Sequence, residues 1–207
     1  MKGKFIVFEG SDGSGKTTVL ENVKKYLDKN NIKYIVTREP GGTMIGEDIR
    51  EILLKNHQDY DMNDRTEALL FAAARAQSVE EVLKPALEKN DLVISDRYVL
   101  SSLAYQGFAR GLGIEEVKKI NDFATDNLVP DYTFFLDVDP IKVLERKKNI
   151  VEADRLEQEE NEYHKKVYDG YKNIIKNEKN CIIVDASKSI EEVVNDTLNE
   201  IKKILED

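Results

Sequence analysis

FIVFEGSDGSGKTTV, residues Phe5 to Val19, decides the fold. Its first half is a short apolar run, rich in β-branched and aromatic residues, that reads as a buried strand. Its second half, Gly10-Ser11-Asp12-Gly13-Ser14-Gly15-Lys16-Thr17-Thr18, fits the pattern G-x-x-x-x-G-K-[ST]. Each part of that pattern has a physical task. The glycines let the backbone curl until successive N–H groups point inward, and the helix that follows brings its positive end to the same spot. A polyphosphate fits there, with Lys16 reaching the β- and γ-phosphates and the Thr17 hydroxyl holding Mg²⁺. A chance match in a chain of this length has a probability on the order of a percent from average composition.

Working outward, further strand-like runs follow at Lys33 to Glu39, Leu92 to Asp96, Tyr132 to Val138 and Cys181 to Ala186. Helical spacing fills the intervals, as at Val19, Val23, Tyr26 and Leu27, then Ala68 to Ala76, then Val193, Leu198, Ile201 and Leu205. Strand and helix alternate throughout. Parallel strands need crossovers and helices must cover both faces, so the sequence predicts a three-layer α/β P-loop NTPase fold on a five-stranded parallel sheet. Ligands then belong at the carboxyl ends of the strands.

At 207 residues, the chain is expected to form a single domain, with an acceptor-binding region at about 38–110 and a small lid at about 146–156. The balance of 41% hydrophobic and 34% charged residues is that of a globular protein. A net charge of -9 argues against a nucleic acid polymer or an acidic membrane as main partner. The opening MKGKFIVFEG is too short in apolar character for a signal peptide, and no run elsewhere could span a bilayer. With one cysteine, Cys181, read as a strand residue, the expected location is cytoplasmic. His57 and His164 stand alone, without metal-ligand spacing.

Four more clusters fall where such a fold puts its active face. Thr37-Arg38-Glu39-Pro40-Gly41-Gly42-Thr43 follows the second strand. Phe71 and Arg75 share a helix face at i, i+4, either as a base reader or as core plus a snorkelling arginine. Asp96-Arg97-Tyr98 ends the third strand, as an acceptor and metal-side group or as a plain ion pair, and Ser101, Ser102, Tyr105 and Gln106 follow at helical spacing. The charged stretch from Glu145 to Glu162 reads either as a solvated helix or as a mobile flap. The sequence holds no N-K-x-D guanine-reading motif. A small kinase remains, or a nucleotide-sensing module.

Across nearly its whole length the chain resembles the thymidylate kinases. The P-loop, TREPGGT, the Phe71-x-x-x-Arg75 pair, DRY followed by SSLAYQG, and DRLEQE carry the resemblance. It implies an ATP- and Mg²⁺-dependent transfer of phosphate to dTMP, with another nucleoside monophosphate or deoxynucleoside as the alternative acceptor. It also implies roles: Phe71 stacking on thymine, Arg75 at its edge, Ser102 near the same base, Tyr105 against the sugar, and Gln106 among the substrate-binding residues. Arg97 and Arg38 would hold the acceptor phosphate, Asp12 would lie near the 3′-hydroxyl, and Asp96 would serve the metal with Thr17. The P-loop has no arginine, so the resemblance assigns the catalytic cation to the lid, first Arg155 and Arg146, then Lys147 and Lys148. A homodimer built from helices, Asn63 to Lys84 among them, is a further implication.

Lys16→Ala is predicted to abolish phosphoryl transfer without unfolding the protein, because it removes one phosphate contact at a loop. Turnover and a thermal melt check both halves; near-parental turnover would take the P-loop out of the mechanism.

Overall fold

A computed structural model describes residues 3–56, 61–89, 92–141, 143 and 154–206. His57, Arg146, Lys147 and Lys148 lie outside the described residues. Five parallel strands, β1 (Phe5–Glu9), β2 (Tyr34–Arg38), β3 (Leu92–Asp96), β4 (Tyr132–Asp137) and β5 (Cys181–Asp185), form one sheet in the order β2-β3-β1-β4-β5. The expected sheet is therefore present.

Every residue of the central strand β1 is buried. Alternate side chains serve opposite layers, as the strand period requires. Ile6 and Phe8 enter a cluster with Val19, Val23 and Leu27 of α1 (Lys16–Lys29) and Val193, Ile201 and Ile204 of α8 (Ile190–Glu206). Phe5 and Val7 face the other way, toward Val79, Leu83, Leu87, Tyr98 and Leu128. The edge strands β2 and β5 are only partly covered, unlike the fully buried strands their apolar runs suggested, since each has a neighbour on one side alone. Cys181, the first residue of β5, is accordingly half-buried.

The second layer of helices builds the site. These are α2 (Met44–Leu54), α3 (Asp64–Ser78), α4 (Lys84–Glu88), α5 (Val99–Ser102), α6 (Ile114–Thr125) and α7 (Asn161–Ile174). Between α3 and α4, a π-helical turn, Val79–Leu83, continues the axis without a break. A second π turn, Leu103–Ala109, follows α5 directly. Wide turns of this kind are frequent at functional sites, and this one carries Tyr105 and Gln106. His164 of α7 is buried, so it is a packing residue.

Strand register aligns the carboxyl ends. Phe8 sits opposite Asp96 and Phe134, Arg38 opposite Asp96, and Asp137 opposite Asp185. The loops leaving β1, β2 and β3 thus emerge side by side at one edge. Phe134 is fully buried and stacks on Phe8 with ring centroids 5.0 Å apart. Phe134→Ala should cost about 3–5 kcal/mol in a denaturant titration, as a fully buried ring leaves a cavity that the sheet cannot close; a loss below about 1 kcal/mol would mean that the sheet centre repacks.

Candidate active site

The loop between β1 and α1 turns through Gly10, Gly13 and Gly15, whose φ angles are 145, 77 and 93°. At Gly10 a side chain is also excluded by space: a Cβ would lie 2.9 Å from both the Leu136 carbonyl oxygen and Ser14 Oγ. Lys16 is buried and donates to the carbonyls of Gly10 (3.0 Å) and Ser11 (3.2 Å). Burial, then the Arg97 charge, lowers its pKa to about 8. Ser11 and Ser14 are buried with Oγ atoms unpartnered, and Thr17 stands exposed at the start of α1 beside Thr18. The loop has a different pocket on each side. Asp12 faces one lined by β2–α2, α3 and α5 residues, whereas Gly13, Ser14, Gly15 and Thr18 face another with Val138, Lys188 and Ile190.

Arg97 joins the loop to the first of these pockets. Its backbone adopts φ 71°, unusual for a non-glycine residue. The guanidinium donates to Asp12 Oδ1 (2.6 Å), the Gly10 carbonyl (2.9 Å), Ser101 Oγ (3.1 Å), Tyr171 Oη (3.1 Å) and Tyr105 Oη (3.3 Å). Burial opposes its charge, but the oxygens of Tyr105 and Asp12 outweigh burial and raise its pKa well above the usual arginine range. Behind it, Glu9 is fully buried and accepts from the N–H groups of Tyr98 (2.9 Å) and Ser101 (3.2 Å) and from the hydroxyls of Ser101 (2.6 Å) and Tyr171 (2.8 Å). Tyr105 Oη donates to Asp12 Oδ2 at 2.8 Å. The neighbouring Asp96 leaves Oδ1 buried without a partner.

The pocket's far end holds Phe71, Arg75, Ser102, Tyr105 and Gln106 together, the residues that the resemblance assigned to the acceptor. Phe71 is only half-buried and belongs to none of the core clusters, which favours a ligand-facing ring over a packing one. Arg75 is 1% exposed, so it does not snorkel. It donates to Glu39 Oε2 (2.5 Å), Ser102 Oγ (2.8 Å), the Tyr98 carbonyl (3.0 Å) and Asn121 Oδ1. Glu39 Oε1 is buried and unpartnered. Burial outweighs the attraction of Arg75 and lifts the Glu39 pKa to about 7.

Two arginines sit differently from the sequence expectation. Arg38 turns outward to Glu47 at 2.7 Å, with about half its side chain exposed (51%), and is absent from the pocket wall. Arg50 lines the wall instead, its guanidinium donating to the Pro40 carbonyl at 2.9 Å. Nothing in the sequence set Arg50 apart from other charged residues of an amphipathic helix. Arg155 donates to the Leu53 carbonyl (2.8 Å) and to Glu67 Oε2 (2.6 Å), so it is anchored to α2 and α3, with its neighbours Asp154 and Leu156 lining the pocket. Glu67 and Asn121 were also missed, because a buried polar partner has no local sequence pattern.

A phosphate cradle at the end of a central parallel strand, opening on one side to an arginine-lined pocket with an aromatic far wall, defines the class: a P-loop kinase acting on a small phosphorylated acceptor. The thymidylate kinase family model matches residues 8–197. Proteins named thymidylate kinase are 52% identical in Finegoldia magna, over 96% of this chain and 98% of the relative, and 50% identical in Lactobacillus acidophilus, over 99% and 96%. That of Thermoanaerobacter sp. is 45% identical over 99% and 100%. The chain belongs to the thymidylate kinase family.

The raised Glu39 pKa makes a signed prediction for the ligand-free protein. The folded state holds this proton up to about pH 7, whereas an unfolded glutamate loses it near 4.5. Its contribution is therefore complete below about 4.5 and is lost as pH rises to 7 and beyond. Between pH 5 and 8, unfolding titrations should show the parent losing stability relative to Glu39→Gln; parallel pH curves would place the carboxyl at its ordinary value.

Proposed function

We propose that this kinase transfers the γ-phosphoryl group of ATP to dTMP, giving ADP and dTDP. The observation that carries the reading is the far end of the acceptor pocket. Arg75 has five N–H groups, and four are engaged by Glu39, Ser102, Asn121 and the Tyr98 carbonyl. One Nη2 hydrogen is left as a donor, and Arg75 and Gln106 line the same pocket. A thymine ring would lie on Phe71 with its 4-carbonyl toward Arg75. Tyr105, held by Asp12 and Arg97, would fill the space beside the sugar where a 2′-hydroxyl would intrude.

ATP would lie on the other side of the loop, its phosphates in the cradle of Gly10 to Thr18. Lys16 would exchange the Gly10 and Ser11 carbonyls for the β- and γ-phosphates. Arg97 and Arg50 would hold the acceptor phosphate, with Arg38 reaching it only by leaving Glu47. An acceptor phosphate oxygen attacks the γ-phosphorus while the bond to the β-bridging oxygen breaks. The attacking acceptor phosphate is already ionised near neutral pH, its second pKa being about 6, so no general base is needed. Alignment and charge neutralisation do the work. The buried, unpartnered Oδ1 of Asp96 and the exposed Thr17 hydroxyl fit a Mg²⁺ with its waters. When bound, that ion would neutralise charge on the β- and γ-phosphates. Because Glu67 and the Leu53 carbonyl occupy Arg155, its service as the lid cation requires release from both; Arg146, the alternative, lies outside the described residues.

A homodimer fits the same reading. α3 packs between α2 and α6, and this layer exposes Ile52 (49%), Leu69 (56%) and Phe123 (92%). A cytoplasmic site of action suits a nucleotide kinase. Among the described residues no helix is long and apolar enough to cross a membrane.

An ADP-release assay with dTMP, dUMP, ribose-bearing TMP, dCMP and dGMP tests the reading. dTMP should give the highest kcat/KM, and turnover at the acceptor-free rate would leave only a nucleotide sensor. Phe71→Ala should raise KM for dTMP by an amount corresponding to about 1–3 kcal/mol of stacking and leave KM for ATP near its parental value. Equal effects on the two substrates would return Phe71 to the core.

A further inference from the structure

Glu67 stands on α3 four residues before Phe71 and eight before Arg75, on the same face of the helix. It is fully buried, yet it does not line the acceptor pocket. Gln106 Nε2 donates to its Oε1 at 2.9 Å, while Arg110 (3.2 Å) and Arg155 (2.6 Å) donate to its Oε2. Burial pushes the Glu67 pKa up, but the hydrogen bond from Gln106 and the two arginines outweigh it and hold the carboxyl below the usual carboxylate range.

An ionised carboxylate only accepts hydrogen bonds, whereas a glutamine amide donates at one end and accepts at the other. A glutamine bound to such a partner must turn its NH₂ group inward. Gln106 is 1% exposed and lines the acceptor pocket; with Nε2 directed to Glu67, its carbonyl oxygen is the acceptor that the side chain can offer a ligand. Arg75, with one N–H left over, lines the same pocket.

We propose that Glu67 is a positioning residue for base specificity, locking the Gln106 amide so that Oε1 faces the pocket. The wall then offers a donor from Arg75 next to an acceptor from Gln106. This pattern takes a base with a carbonyl beside a ring N–H, as in thymine and uracil. It opposes cytosine, which has an amino group beside a bare ring nitrogen. The inference rests on the dTMP reading above and adds the group that enforces it.

The test compares kcat/KM and calorimetric Kd for dTMP and dCMP in the parent, Glu67→Asp and Glu67→Gln. Aspartate keeps the charge for both arginines but withdraws from Gln106. Glutamine keeps the shape but can itself donate, which frees the amide to flip. In either variant that folds, the dTMP-to-dCMP preference should drop about tenfold or more, through KM rather than kcat, as expected when a site built around a hydrogen bond loses its polarity. A merely structural role would lower both acceptors in parallel; an unchanged preference in a folded variant overturns the proposal. A parent with no preference for dTMP overturns the functional reading and this inference with it, whereas a parental preference that survives both substitutions overturns only the role of Glu67.

Discussion

The buried guanidinium of Arg97 is the point on which the rest of the site depends. A cation removed from water must be matched by oxygens, and here they come from separate elements: Asp12 and Gly10 of the loop, Ser101 of α5, Tyr105 of the π turn and Tyr171 of α7. Each bond fixes the position of one element against the end of β3. The left-handed backbone at Arg97 is unfavourable for a side chain with a Cβ. Glu9 offsets it from behind, accepting the N–H groups of Tyr98 and Ser101 that this turn would otherwise leave buried and unpaired.

That arrangement relates the two pockets flanking the loop. Asp12 and Gly13 are consecutive, yet they face opposite cavities. On the proposed reading, a donor phosphate in the cradle and an acceptor phosphate at Arg97 would approach across one turn of backbone. The geometry is set before either ligand arrives, which is the condition for alignment to lower a barrier. Lys16 supplies the complementary feature, a cation resting on two loop carbonyls that phosphates would replace on the proposed reading.

The legible parts of the sequence were those with local periodicity or a fixed spacing. The apolar runs located all five strands, and the glycine spacing placed the cradle, because both signals lie within a dozen residues. The pairing of Phe71 with Arg75 and the run from Asp96 to Gln106 were visible for the same reason. Arg50, Glu67 and Asn121 were not, since their placement depends on how separate elements pack, and a charged or polar residue on an amphipathic helix looks the same whether it faces solvent or a pocket. Arg38 shows the converse. Its place at a strand end was right, but Glu47, nine residues later, draws the guanidinium outward at 2.7 Å.

The central claim is that Arg97 acts through the geometry of its fork and not through charge alone. Lysine retains the charge but has a single point of donation and cannot bind the loop, α5, the π turn and the acceptor phosphate together. The direct measurement is the steady-state kcat of Arg97→Lys with ATP and dTMP, taken alongside its thermal melt. The account predicts a fall in kcat of roughly a hundredfold or more in a protein that still unfolds cooperatively; an Arg97→Lys enzyme with parental kcat would contradict it.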